Sequence, residues 1–131
     1  MKGTCLCGGV TITAPDLNEL HACHCRMCRR WGGGPFMTVH GGPGVIVEGK
    51  HNVKAFRSSS WAERAFCSDC GTHLYYFLLP KQDYILSAGL FEESSAFAFT
   101  RQICIDRKPR NYAFANDTEQ LTEAQVFGRA P

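Results

Sequence analysis

Hydrophobic residues in this chain fall into many short runs separated by turn formers, and few of those runs are long enough for a helix. Within Gly8-Gly9-Val10-Thr11-Ile12-Thr13-Ala14-Pro15, apolar residues alternate with threonines, the period of two expected of a half-buried strand that a proline then closes. Leu20, Ala22 and the segment Cys23 to Cys25 predict a second short strand. Arg26 to Trp31 predict one or two helical turns, stopped by Gly32-Gly33-Gly34-Pro35. Phe36 to His40, Val45 to Glu48 and Val53 to Arg57 read as brief strands bounded by Gly, Pro or Asn, with the spacing of an antiparallel meander. Glu63 to Phe66, His73 to Leu79, Tyr84 to Ala88 and Gln102 to Asp106 extend the series, and Leu121 to Phe127 predict a short terminal helix. The expected fold is mainly β, made of small antiparallel sheets with short helices, as one domain over residues 1–131.

Composition narrows the class further. A hydrophobic fraction of 44% and a charged fraction of 20% are ordinary for a folded protein, and 13 glycines with 6 prolines fit a chain full of turns. A domain of this size buries about two thirds of its unfolded surface, enough for a core. The sequence has no membrane-length apolar run, and Met1-Lys2-Gly3-Thr4 leads into Cys5 with no apolar leader segment, so a cytoplasmic location is expected and no membrane partner. Thiols stay reduced there, which makes eight cysteines a sign of metal binding or thiol chemistry rather than of a disulfide framework.

The cysteines sort into C-x-C at Cys5 and Cys7, C-x-C-x-x-C at Cys23, Cys25 and Cys28, C-x-x-C at Cys67 and Cys70, and Cys104 by itself. On an extended segment residues two apart share a face, so Cys5 with Cys7, and Cys23 with Cys25, are expected to reach one ion together. C-x-x-C bends through a turn, for which Gly71 after Cys70 and Gly8 after Cys7 supply the backbone freedom. Structural zinc closes with four protein ligands and catalytic zinc often keeps three. Seven clustered thiols then divide into a complete set, Cys5, Cys7, Cys67 and Cys70, and a triplet, Cys23, Cys25 and Cys28. The triplet is either open or closed by His21, His24, His73 or Cys104.

His24, between two ligands on an extended segment, should point to the opposite face as a structural or solvent-facing residue. His73 is expected to pack at the start of a strand. Cys104, flanked by Ile103 and Ile105, reads as a buried small hydrophobe outside both sites. Trp31, Phe36 and Trp61 read as core or pocket wall. Arg29 and Arg30 follow the triplet directly, where guanidinium groups can offset thiolate charge or hold a substrate carboxylate. The formal charge of +2 and pI near 8.1 do not survive metal loading: seven thiolates with two divalent ions add three negative charges, leaving about −1. Nucleic acid is therefore not an expected partner.

Three blocks, GTCLCGGV at Gly3 to Val10, CHCRMCRRWGG at Cys23 to Gly33 and RAFCSDCGTHL at Arg64 to Leu74, resemble in order the glutathione-dependent formaldehyde-activating enzyme family, whose domain also occurs in centromere protein V. The resemblance continues through Ile105-Asp106-Arg107-Lys108-Pro109 and Leu121-Thr122-Glu123-Ala124. It implies a β-tent fold, a structural zinc on Cys5, Cys7, Cys67 and Cys70, and a labile, catalytic zinc on Cys23, Cys25 and Cys28. It also implies a carbon–sulfur lyase that joins the thiol of glutathione to formaldehyde; Arg29 and Arg30, from their place after the triplet, are the candidate substrate contacts. One departure stands out: Arg110-Asn111-Tyr112 follows Pro109 where many relatives carry Trp two residues after the proline, which bears on one pocket wall. Two other functions are weighed: a non-catalytic zinc module that binds protein or nucleic acid, and thiol redox catalysis by Cys67 and Cys70. The second requires a helix after the motif, and Gly71-Thr72-His73-Leu74-Tyr75 predicts a strand.

Overall fold

The computed structural model describes residues 1–128; the domain expected over 1–131 has its last three residues outside the described part. Eleven strands form two sheets among the described residues. The smaller is antiparallel and holds β1 (Lys2–Thr4), β2 (Thr11–Thr13) and β5 (Ile46–Glu48) in the order β1-β2-β5. The larger runs β11-β10-β3-β4-β9-β8-β7-β6. Its strands are β3 (Glu19–Cys23), β4 (Phe36–Gly42), β6 (Val53–Arg57), β7 (Ala62–Cys67), β8 (His73–Leu78), β9 (Asp83–Ser87), β10 (Ala98–Ile103) and β11 (Glu119–Leu121). Two short helices complete the fold, α1 (Arg26–Gly32) and α2 (Glu123–Gly128). No described helix is long and apolar enough to cross a membrane.

The core lies between the sheets. Val10, Ile12, Val39, Leu74, Leu86 and Phe91 are fully buried there, with Cys5 and Cys67 in the same cluster. Alternation in Thr11-Ile12-Thr13 sends Ile12 inward, as the sequence pattern predicts. The meander expected over Phe36 to Arg57 does not form, because β5 leaves to pair with β2 in the smaller sheet while β4 lies between β3 and β9 and β6 pairs with β7. An antiparallel meander runs instead from β6 to β9.

Four local expectations are corrected. The chain starts a strand earlier than the alternating segment, because Lys2–Thr4 pairs with Thr11–Thr13 although it has no alternation of its own. Gln102 to Asp106 is not one strand: β10 ends at Ile103, Cys104 takes a left-handed conformation (φ 55°), and a 3₁₀ turn follows at Ile105–Arg107. The expected helix at Leu121 begins two residues later, since Leu121 is buried as the last residue of β11. The large sheet is also mixed, because β10 lies parallel to both β3 and β11. That parallel pairing places Ile103 in register with Cys23, so β3 and β10 end side by side.

Candidate functional site

The first cysteine cluster joins the two sheets. Cys5 and Cys7 follow β1, Cys67 ends β7 and Cys70 sits in the turn before β8, and their four sulfurs lie within 4.8 Å of one another. Cys5 and Cys7 are gathered by a turn rather than by the expected extended segment: Gly8 N–H donates to the Cys5 carbonyl at 3.1 Å, with Gly8 at φ 76°. The second half repeats the device, Gly71 N–H donating to the Cys67 carbonyl at 2.8 Å with φ 77°. Both glycines thus take the positive φ that their positions after the thiols predict.

Sulfur spacing shows what these sets suit. Cys5 and Cys7 Sγ are 3.6 Å apart, and Cys7 and Cys67 Sγ 3.7 Å. A disulfide requires about 2 Å, whereas a tetrahedron with zinc–sulfur bonds of about 2.3 Å has edges of about 3.8 Å. All eight cysteines are free. Val10 N–H donates to Cys5 Sγ at 3.3 Å, which stabilises a thiolate. Cys70 is held down to about 5 by the Thr72 hydroxyl and then the Thr72 backbone N–H. Cys7, although lowered by the Gly9 backbone N–H, is pushed up to about 12 by crowding against Cys5, Cys70 and Cys67. The group needs a cation to ionise throughout.

The second cluster is local. Cys23 ends β3, Cys25 is the N-cap of α1 and Cys28 lies in its first turn, again with sulfurs within 4.8 Å of one another. No histidine nitrogen joins them among the described residues. Cys28 N–H donates to Cys25 Sγ at 3.3 Å, so the thiol replaces the usual Ser or Asp cap. Hydrogen bonding from Cys23 and then Cys28 pulls Cys25 down to about 2, helped by that N–H and by Arg64. Cys28, lowered by Cys23, is nevertheless raised to about 11 by Cys25 and by burial. Cys23 is pushed strongly upward, first by its hydrogen bond with Cys104. Cys104 is buried as expected, but the parallel β3–β10 pairing sets its thiol against Cys23, a contact that Ile103-Cys104-Ile105 does not reveal.

The neighbours have distinct roles. His24 is fully buried rather than solvent-facing; its ring nitrogens bond Tyr112 Oη and Gln102 Oε1, each at 2.8 Å. Gln102 Nε2 donates to Thr118, so Gln102 Oε1 accepts from His24 Nε2–H, and Tyr112 O–H donates to His24 Nδ1. Burial keeps His24 neutral by lowering its pKa. His73 stacks on Trp31 with ring centroids 4.0 Å apart, and Phe36 meets Trp31 edge-on. Trp61, read as core or wall, is 39% exposed.

Beside α1 lies an open cavity of about 660 Å³. Arg26, Arg29 and Arg30 line it from the helix, and Pro109, Asn111 and Tyr112 face them. The three sulfurs are not among its walls; Cys25 caps the same helix one residue before Arg26. Arg29 is fixed by its Nε–H, which donates to the His24 carbonyl at 2.9 Å. Two residues with chemical weight escaped sequence reasoning here. Arg26 reads as an ordinary exposed helix residue, and Arg64, 5% exposed, donates from Nη1 to Cys28 Sγ at 3.6 Å.

Residues 1–107 match the family model described as glutathione-dependent formaldehyde-activating enzyme. The chain belongs to that family. An uncharacterized lyase of Schizosaccharomyces pombe is 39% identical over 128 residues, covering 96% of this chain and 93% of its own length. A Halomonas elongata protein carrying the name glutathione-dependent formaldehyde-activating enzyme is 29% identical over 87 residues, 59% of this chain and 55% of that protein. A crystal structure of a Rhodobacter sphaeroides protein aligns with a TM-score of 0.61 at 27% identity, covering 70% of this chain and 88% of that one. The match to the formaldehyde-activating family includes both cysteine clusters and Arg64 and stops before Asn111 and Tyr112, so one cavity wall lies beyond the shared region.

Proposed function

We propose that this protein is a zinc-dependent enzyme of the carbon–sulfur lyase type, adding a small thiol such as glutathione to formaldehyde or a related small aldehyde. The observation that carries this reading is the three-sulfur cluster with no fourth protein ligand among the described residues, gathered at the start of the helix that carries three cavity-lining arginines. Cys5, Cys7, Cys67 and Cys70 would hold one zinc as a structural clasp, and Cys23, Cys25 and Cys28 a second. Family membership and the lyase-named relative support the reaction class.

Zinc at the three-cysteine cluster, when bound, supplies the positive charge that favours the thiolate form of an incoming thiol. Arg30 and the terminal nitrogens of Arg29 bind the carboxylates of that thiol, where paired N–H groups fit both carboxylate oxygens. Arg29 is already oriented by its bond to the His24 carbonyl. The addition moves no electrons in or out: a carbon–sulfur bond forms, the carbonyl π bond breaks, and the thiol proton ends on the new hydroxyl. The reverse direction is the lyase reaction. Such thiol chemistry belongs in a reducing cytoplasm.

Because thiols and formaldehyde also combine unaided, the test is the exchange rate between free and hydroxymethylated glutathione, followed by NMR with and without protein. Acceleration by the wild type and none by Cys25→Ser is the expected result. A wild-type rate equal to that of buffer would overturn the assignment.

A further inference from the structure

Arg64 is a buried cation with no carboxylate. Its side chain is 95% removed from solvent, its Nε is buried without a hydrogen-bond partner, and none of the ion pairs among the described residues includes it. Arginine is almost never fully buried unpaired, because desolvating its charge costs several kcal/mol. Two aromatic faces flank it, Trp31 at 5.2 Å and Tyr76 at 5.0 Å from Cζ to ring centroid. Such contacts offset part of the desolvation cost but supply no negative charge. The atom in reach is Cys28 Sγ, which becomes an anion when a bound ion displaces its proton.

The position is built rather than accidental. Arg64 on β7 stands directly across from Tyr76 on β8, whose hydroxyl accepts a bond from Trp61 Nε1 at 3.1 Å. On the other side Trp31, from α1, is backed by His73. The four groups form a column in the order His73, Trp31, Arg64, Tyr76, from which Arg64 Nη1 reaches the Cys28 thiol. His73, lowered in pKa by burial and then by Arg64, brings no second charge.

We propose that Arg64 is the internal counter-charge of the three-cysteine centre, a positioning residue that sets how tightly Cys23, Cys25 and Cys28 hold a divalent ion. Three thiolates around such an ion carry −1, which one guanidinium neutralises. The four-cysteine cluster would carry −2, yet it includes an exposed Cys7 and has water to stabilise it. A half-buried centre lacks that recourse and needs a charge supplied by the fold. The proposal rests on the reading of the triplet as a metal site.

Cobalt and zinc titrations against a competing chelator, with thiolate-to-cobalt absorption as the signal, test both layers separately. Wild-type protein that binds a single ion removes the underlying metal reading. Given two ions, Arg64→Met is expected to weaken the three-cysteine site by 10- to 100-fold, the usual consequence of losing a partner of a metal ligand, while the four-cysteine site is unchanged. Arg64→Lys should recover most of the affinity and Arg64→Gln little. A purely packing role predicts lower thermal stability with the ratio of the two affinities intact, and that result would overturn the proposal. Should the variants not fold, the Arg64 side-chain N–H resonances of the wild type decide the matter. They are expected to shift when the second ion is added; indifference to it counts against the counter-charge.

Discussion

The two cysteine clusters use the same ligand atom for opposite ends. Cys5 and Cys7 meet Cys67 and Cys70 across some sixty residues of chain, and the set closes on itself with four sulfurs. Cys23, Cys25 and Cys28 lie within six residues, form a cluster of three sulfurs among the described residues, and have the Arg64 guanidinium against Cys28. Closing a long loop removes conformational freedom from the unfolded chain, so an ion at the first cluster works on the fold. An ion at the second restrains only a strand end and one helical turn, which leaves its binding energy free for a ligand. On the proposed assignment, span along the chain, more than ligand type, separates a clasp from a working site.

That contrast can be broken in order of expected effect. Cys67→Ser, at a fully buried position, should abolish cooperative unfolding at room temperature, because closing a structural zinc site is worth about 10 kcal/mol or more in zinc-finger peptides. Circular dichroism with metal analysis checks it; a folded variant would show that the clasp is dispensable. Cys25→Ser should lose about one metal equivalent and all turnover while the thermal transition remains, since the clasp lies elsewhere. Loss of the fold would erase the distinction between the clusters.

Proton release sharpens the comparison. Near neutral pH Cys25 is already ionised, whereas Cys28 is raised to about 11 and Cys23 is raised as well. Metal binding must therefore displace about two protons, so affinity at this cluster should rise about 100-fold per pH unit and fall correspondingly on acidification. Chelator competition at pH 6 and pH 7 measures the slope, and a flat dependence would show that the thiols are ionised before metal arrives. The smallest effect is expected at the cavity. Arg30→Ala should raise the KM for an anionic thiol about tenfold with kcat little changed, the pattern of lost uniform binding, whereas an uncharged thiol should not notice the change.

Both cysteine clusters could be read from spacing because the pairs within them are local, whereas the meander expected over Phe36 to Arg57 failed because spacing along the chain does not say which sheet β5 joins. What stayed hidden depends on distant pairing. Nothing near Cys104 announces that β10 runs parallel to β3, so its contact with Cys23 has no local sign. Arg64 was missed for a related reason: an arginine in a short strand reads as solvent-facing until Trp31 and Cys28 of α1 and Tyr76 of β8 close around it. Lys2-Gly3-Thr4 shows the same limit in miniature, a strand by virtue of its partner rather than its composition.

The column of His73, Trp31, Arg64 and Tyr76 also gives the protein an optical gauge. Of its two tryptophans, Trp31 is wedged between an imidazole and a guanidinium that touches Cys28, while Trp61 is largely at the surface. Filling the neighbouring sulfur triangle should alter the electric field across the first indole directly, and reach the second only through the Tyr76 hydroxyl that it hydrogen-bonds. Intrinsic emission, resolved by Trp61→Phe, should therefore report occupancy of the three-sulfur pocket without any added dye.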